Sequence, residues 1–175
     1  MNLDDLDGRI GEGWGGVGRN GSHVNVVLAR RGSATAAAAI SMLAHPSPGH
    51  TPVLVCVGPE QPQYQVVWPP TLMMNKVTAI DERHQTLTWG AAQVGVAQGV
   101  LDSVAAGLIE ATHDVIVLVA VWVDERADDE TALRVANREA VGKALRMCIE
   151  GRDADAVASL VDERDRVTNP FYSGD

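Results

Sequence analysis

The chain has 175 residues, a formal net charge of −9 and 46 % hydrophobic residues. This hydrophobic fraction is typical of a globular protein, and the length suits one domain. The chain has no basic cluster beyond Arg30-Arg31. Nucleic acid is therefore excluded as an expected partner, because phosphate binding needs clustered cations. We expect a single domain over residues 1–175, with residues 1–8 flexible.

The N-terminal sequence and the cysteines indicate a cytoplasmic protein. "MNLDDLDGRI" is acidic and lacks the apolar stretch of a signal peptide. No window holds the roughly 18 apolar residues that a membrane helix requires. Cys56 and Cys148 lie far apart and fit no metal or redox spacing, so both are expected to be buried thiols.

The first predicted element is a β-hairpin. Strand-like residues 9–17 and 23–29 flank Asn20-Gly21, a dipeptide that favours a two-residue turn. Glycines in residues 11–18 twice satisfy G-x-G-x-x-G. However, no apolar strand precedes them and no helix follows, so a dinucleotide site is not expected.

The second strand of this hairpin has two different faces. Residues that alternate along a strand point to opposite sides. One side is apolar and belongs to the core, and it carries Val24, Val26 and Leu28. The other side places His23 beside Asn25.

The remaining elements alternate less regularly than in a doubly wound fold. They are predicted in this order: a helix over 34–45 capped by Ser33, a buried strand over 51–58, a proline-rich loop over 59–70, a strand over 71–80, a helix from Gly90 to 107–109, a central strand over 114–124, a long helix ending before Gly151, and a short last helix. The order β-β-α-β-β-α-β-α favours a two-layer α/β sandwich, a mixed β-sheet with helices on one face.

Few residues suggest chemistry by type and spacing alone. No G-x-S-x-G elbow and no metal-ligand spacing is present. Four histidines are expected to be solvated on the surface: His45, His50, His84 and His113. His23 is either structural or functional on position alone. Lys76 and Thr78 at a strand end, and Gln93 in the first turn of a helix, are weaker candidates for ligand contacts.

The chain resembles the formaldehyde-activating enzymes. The resemblance runs in order through "IGE" at 10–12, "HVNVVLARRGS" at 23–33, "NKVT" at 75–78, "GAAQVGVAQGVLDSVAAGLI" at 90–109 and "TNPF" at 168–171. Such enzymes condense formaldehyde with tetrahydromethanopterin to give the methylene derivative and water. The resemblance implies a fold like the second domain of ribosomal protein S5, and a homopentamer with sites between subunits.

The resemblance also implies roles for particular residues. His23 corresponds to the catalytic proton donor, and Leu54, Lys76, Thr78 and Gln93 correspond to residues that line the pterin site. Asn25 stands where the family has an aspartate, and Val94 replaces a common histidine. The implied reaction needs no metal and no tightly bound cofactor, because the reduced pterin is a co-substrate.

Two alternatives remain open at this level. A divergent family member could bind a pterin, an aldehyde or another small ligand without turnover. It could also condense formaldehyde with a different amine. An aspartate at position 25 would add a negative charge near His23, which favours a protonated imidazole and a cationic iminium. Asn25 keeps the hydrogen-bonding shape without the charge, so the acceptor amine is the open question.

Overall fold

The structure, a computed structural model, describes residues 3–169 and 172–174. Its strands are β1 (Ile10–Gly15), β2 (Ser22–Arg30), β3 (Val53–Leu54), β4 (Cys56–Val57), β5 (Gln65–Val66), β6 (Thr71–Asn75) and β7 (Val115–Val123). Its α-helices are α1 (Ala34–Ala44), α2 (Glu82–Thr86), α3 (Gln93–Ala105), α4 (Glu130–Glu150) and α5 (Ala154–Asp162). The last two residues of the "TNPF" stretch lie outside the described residues.

Five strands form a mixed sheet in the order β1-β2-β7-β6-β3. Only the β6–β7 pair is parallel, and β7 is central as its continuous apolar run predicts. The predicted α/β sandwich is confirmed. Helices α3 and α4 cover one face of the sheet, where the β2 side chains Val24, Val26 and Leu28 are fully buried.

The opposite face of the sheet is only partly covered. Ala36 and Ala39 of α1 pack against Ala29 and Ile116 at one end of this face. Ser33 begins α1 as predicted, since its hydroxyl accepts a hydrogen bond from the amide of Ala36 at 3.0 Å. The other end of the face stays open, and His23 lies there.

The glycine-rich first strand serves close packing. Gly11, Gly13 and Gly15 alternate along β1, and a Cβ at each would overlap a backbone carbonyl of α4. The three carbonyls belong to residues one helical turn apart: Ala144, Ala140 and Ala136. The glycines therefore let α4 lie directly on the strand, and they explain the sequence without a nucleotide.

Several predicted elements differ from the structure. The strand predicted over 71–80 ends at Asn75, and the loop predicted over 59–70 contains the short strand β5. The hairpin is present, but its connection spans residues 16–21 with a 3₁₀ turn at Gly18–Asn20, and Gly21 has a φ of −73°. Asn20 instead holds the start of α4 by accepting hydrogen bonds from the amides of Asp128 and Asp129.

The predicted strand over 51–58 is broken into β3 and β4, which belong to different sheets. The helix expected from Gly90 follows a π-helical segment, Leu87–Ala92, that continues α2.

The predictions that His84 is exposed and that Cys56 is buried were wrong. His84 is 2 % exposed rather than solvated, because its Nε2 bonds the carbonyl of Val123 and its Nδ1 accepts from the amide of Ile80. Cys148 is buried as expected, and burial raises the pKa of its thiol to about 11, but Cys56 is only half-buried. The flexibility expected of residues 1–8 stays a prediction; in this segment Leu6 is buried and a carboxylate oxygen of Asp7 accepts from the amide of Arg30.

Candidate active site

The candidate site lies on the open end of the sheet, where side chains of β1, β2 and β7 and of Lys76, which follows β6, lie on one side. In the β1–β2 pair, Glu12 stands opposite Asn25 and Trp14 opposite His23. In the β2–β7 pair, His23 stands opposite Trp122. Directly opposed residues of paired strands point to the same face. The alternation therefore assembles these side chains from strands distant in sequence.

Hydrogen bonds join four of these side chains in a row. The carboxylate of Glu12 accepts from Nε2 of His23 at 3.0 Å. On the other side of the ring, Nδ1 of His23 lies 2.8 Å from Nζ of Lys76. Lys76 also donates to Oδ1 of Asn25 at 2.7 Å. The row Glu12–His23–Lys76–Asn25 thus contains a carboxylate, an imidazole, an amine and an amide.

Two indole rings flank the histidine. The ring centroids of Trp14 and His23 are 6.2 Å apart, and those of Trp14 and Trp122 are 5.8 Å apart. Their apolar surfaces reduce the water around one side of the imidazole. The site is therefore polar along the row and apolar along its edge.

Lys76 follows β6 and reaches across the sheet to β2. Its backbone amide bonds the carbonyl of Val121 at 2.7 Å, which fixes the start of the side chain. Partial burial lowers the pKa of Lys76 to about 8, while the negative charge of Glu12 opposes this decrease. Removal of an ammonium from water disfavours its charged form. About a tenth of Lys76 is therefore a neutral amine at pH 7.

Thr78 lies in a cavity next to this row. The cavity has a volume of about 320 Å³ and is lined by Thr78, Trp122, His84, Arg126 and their neighbours. Trp122 forms a common wall, since it stands opposite His23 in the sheet and also lines the cavity. Thr78 is therefore near the row without touching it.

Leu54 and Gln93 are not brought to His23 within this chain. Leu54 lies in β3, which is separated from β2 by two strands, a distance of about 14 Å at the usual strand spacing. Gln93 lies at the start of α3 on the covered side of the sheet. Its amide donates to the carbonyl of Trp89 at 2.6 Å and accepts from the amide of Cys56 at 3.1 Å. Their predicted contact with a pterin stays a prediction.

Sequence reasoning missed the partners of the histidine. Glu12, Trp14 and Trp122 were not among the candidate residues, although all three share the face of His23. The carboxylate next to the imidazole is Glu12, not a residue at position 25, and Asn25 contacts Lys76 instead. The alternation of Gly11, Gly13 and Gly15 with larger residues was the available signal.

The described residues contain neither a candidate metal site nor a candidate membrane helix. In residues 3–169 and 172–174, no group of three histidines, cysteines or acidic residues is placed to hold a metal ion. No helix in this part of the chain is both long and apolar enough to cross a membrane.

An imidazole between a carboxylate and a weakly basic amine, on an open face of an α/β sandwich, is a site for acid–base chemistry. Comparison with known proteins identifies the group to which this chain belongs. A sequence profile of the formaldehyde-activating enzyme family matches residues 10–172. The chain belongs to this family.

Curated relatives are of two kinds. A 5,6,7,8-tetrahydromethanopterin hydro-lyase of Methanosarcina barkeri is 34 % identical, over 95 % of this chain and 91 % of the relative. A bifunctional enzyme Fae/Hps of Archaeoglobus fulgidus is 30 % identical over 95 % of this chain, but over 41 % of its own length. A bifunctional enzyme Fae/Hps of Methanoculleus marisnigri is 31 % identical over 91 % of this chain and 40 % of its own length. The chain thus spans about two fifths of the bifunctional relatives.

Proposed function

We propose that this protein condenses formaldehyde with a reduced pterin of the tetrahydromethanopterin type, giving the methylene derivative and water. Membership of the formaldehyde-activating enzyme family supports the reaction, and the name of the Methanosarcina barkeri relative supports the pterin. The observation that carries the proposal is the row Glu12–His23–Lys76–Asn25 on the open sheet face. The cytoplasmic location stays a prediction from the sequence.

His23 is the general acid of the proposed reaction. A pterin nitrogen adds to formaldehyde to form a carbinolamine, whose hydroxyl must then leave. Imidazole titrates near neutrality and can protonate that oxygen, so that water departs and an iminium remains. The carboxylate of Glu12, 3.0 Å from Nε2, stabilises the imidazolium before the transfer. The second pterin nitrogen then closes the methylene bridge.

The remaining predicted residues bind the pterin in this proposal. Thr78 and the wall of Trp122 place one part of the pterin in the cavity of about 320 Å³, a volume within the range of small-molecule sites. The resemblance places family sites between the subunits of a homopentamer. Such an arrangement would let Leu54 and Gln93 line the site of a neighbouring subunit. Holding both nitrogens and the aldehyde together would supply much of the acceleration.

Substitution of His23 tests the proposal directly. With tetrahydromethanopterin and formaldehyde, His23→Ala is expected to lower the catalysed rate of methylene formation about a hundredfold or more, as loss of a general acid does. The measurement is the initial rate above the uncatalysed background. His45→Ala is the matched control, because His45 is an exposed residue at the end of α1 whose Nδ1 lies 3.0 Å from the carbonyl of Ser41.

An unchanged rate in His23→Ala would contradict the assigned role of His23. Catalysis with tetrahydrofolate but not with tetrahydromethanopterin would favour the second candidate, condensation with a different amine. Asn25 is the observation behind that candidate, since it replaces the aspartate of the family and contacts Lys76 in the row.

A further inference from the structure

Lys76 is one of only two lysines in the chain. The other, Lys143 in α4, has a side chain that is 56 % exposed and forms an ion pair with Glu139 at 2.7 Å. Lys76 is half-buried on the site face and has no acidic partner of its own in the row. Nζ of Lys143 also donates to the carbonyl of Trp14 at 2.9 Å. The chain therefore contains a site amine and an ion-paired surface amine that can be compared in one molecule.

The contacts of Nζ suit a neutral amine. A neutral primary amine has two N–H bonds and one lone pair, whereas an ammonium has three N–H bonds and none. Nδ1 of His23 and Oδ1 of Asn25 provide two acceptors, at 2.8 and 2.7 Å. When Lys76 is a neutral amine, its two N–H bonds are donated to these two acceptors. The lone pair of Nζ is then available to form a bond to carbon.

The charges around Lys76 favour the same form. Asn25 accepts a hydrogen bond without a negative charge, while a carboxylate at this position would stabilise the ammonium. From β1, Glu12 faces the row but bonds His23; from β7, the residues on this face, Ala120 and Trp122, are uncharged. Partial burial lowers the pKa of Lys76 to about 8 despite Glu12. A desolvated lysine of this kind is the usual amine nucleophile toward carbonyl compounds.

We propose that Lys76 captures formaldehyde covalently, as a carbinolamine and then an iminium, and passes the one-carbon unit to the acceptor amine. The inference rests on the proposed function in one respect, that formaldehyde is a substrate of this site. On this route the carbinolamine that His23 protonates forms on Nζ of Lys76 rather than directly on the pterin nitrogen. The inference does not depend on which amine is the acceptor.

The steps balance without any further reactant. The lone pair of Nζ forms a bond to the carbonyl carbon as the carbon–oxygen π bond breaks. Nζ gives a proton to Nδ1 of His23, 2.8 Å away, and the oxygen takes a proton from solvent. The carbon–oxygen bond of this carbinolamine then breaks as protonated His23 gives its proton to the leaving oxygen. Water and a protein iminium result.

A nitrogen of the acceptor adds to the iminium carbon and loses its proton. Its lone pair then forms a carbon–nitrogen double bond as the bond to Nζ breaks and Nζ takes a proton, which restores Lys76. The second nitrogen of the acceptor adds to this carbon and loses its proton, which closes the methylene bridge.

Reductive trapping tests the capture without any acceptor. The whole protein is treated with formaldehyde and cyanoborohydride at neutral pH, which converts an iminium into an N-methyl group, and peptide mass spectrometry follows each lysine. Methylation of Lys76 is expected to be at least about tenfold faster than that of Lys143, because an ordinary exposed lysine is almost wholly protonated at this pH. Equal rates at the two lysines would overturn the inference.

Two variants make the test specific. Asn25→Asp is expected to slow methylation of Lys76 about tenfold, because the new carboxylate stabilises the ammonium. Asn25→Leu removes the acceptor without adding charge and should slow it less. Lys143→Arg should leave methylation of Lys76 unchanged. If Asn25→Asp and Asn25→Leu behave alike, the charge argument for Lys76 is wrong.

Turnover distinguishes this inference from the proposed function. Lys76→Arg keeps a positive charge but cannot form an iminium, so methylene formation with tetrahydromethanopterin should fall to the background rate. Full turnover in Lys76→Arg would overturn the covalent route and leave the condensation itself intact. Selective trapping at Lys76 without turnover on any pterin would instead refute the condensation and support the capture.

Discussion

At the scale of the residue, the basicity of Lys76 gives a prediction about pH. The neutral fraction of an amine rises tenfold per pH unit until its pKa and then levels off. Since burial lowers the pKa of Lys76 to about 8, the ratio of Lys76 to Lys143 methylation should be constant below about pH 8 and fall above it. The ratio is measured by trapping over a pH series, and it cancels the pH dependence of the reagent. A ratio that does not change up to pH 10 would contradict the lowered basicity.

Single residues also show what sequence can tell about a site. The position of His23 on a strand face was predictable, because alternation separates it from the buried side chains of Val24 and Val26. His84 looked like a surface histidine because polar residues surround it in sequence. In the structure the ring of His84 is buried and bonds the backbone carbonyl of Val123, a residue 39 positions further along the chain. Contacts of that range leave no local pattern.

At the scale of the element, the close packing of β1 against α4 predicts how a substitution in β1 changes the stability of the protein. A Cβ at Gly13 would overlap the carbonyl of Ala140, and backbone atoms of a packed helix cannot move aside easily. Gly13→Ala should therefore lower the free energy of unfolding by about 2 kcal/mol or more. The measurement is urea unfolding followed by circular dichroism.

The matched control for this substitution lies in α4 itself. A Cβ at Gly142 would meet no atom within 4 Å, and the residue is inside the helix. Gly142→Ala should leave stability unchanged or raise it by up to about 1 kcal/mol, because alanine favours helices. Equal destabilisation by Gly13→Ala and Gly142→Ala would show that close approach of α4 is not the role of the β1 glycines.

The hairpin of β1 and β2 shows why the row of site residues could not be predicted. A two-residue turn at Asn20-Gly21 would place Glu12 opposite Ala29. The observed connection is longer, so Glu12 stands opposite Asn25 and reaches His23. The hydrogen bonds that fix Asn20 come from the amides that precede α4, more than a hundred residues away. The pairing register was therefore decided by tertiary contacts rather than by the local dipeptide.

At the scale of the whole molecule, hydrophobic periodicity predicted the sheet and helix layers but not the short strands at the edge of the sheet. The central strand β7 and the helix α4 are long and strongly patterned; β7 was predicted nearly to both of its ends, and α4 at its C-terminal end. By contrast, β3 and β4 have two residues each, too few to leave a pattern of their own. The residues predicted to form one buried strand there pair with two different partners, β6 and β5. Edge pairings depend on the assembled sheet and are the hardest to read from sequence.

The homopentamer that the family resemblance implies stays a prediction. Several large apolar side chains are exposed on different elements of the described chain. They include Ile10, Val17, Leu54, Val135 and Leu160. If the protein is the proposed homopentamer, native mass spectrometry should give about five times the 18.6 kDa mass of the chain.

A subunit-mixing experiment tests whether neighbours share a site. In one protomer Gln93 lies at the start of α3, away from the row that contains His23. If a site takes His23 from one subunit and Gln93 from the next, His23→Ala and Gln93→Ala proteins should each be inactive alone. After unfolding and refolding as an equal mixture, about a quarter of the sites would carry both native residues, as random assembly of a cyclic oligomer requires. Recovery of about a quarter of the wild-type rate would show that the site is shared. A mixture no more active than its two components would show that each protomer builds its site alone.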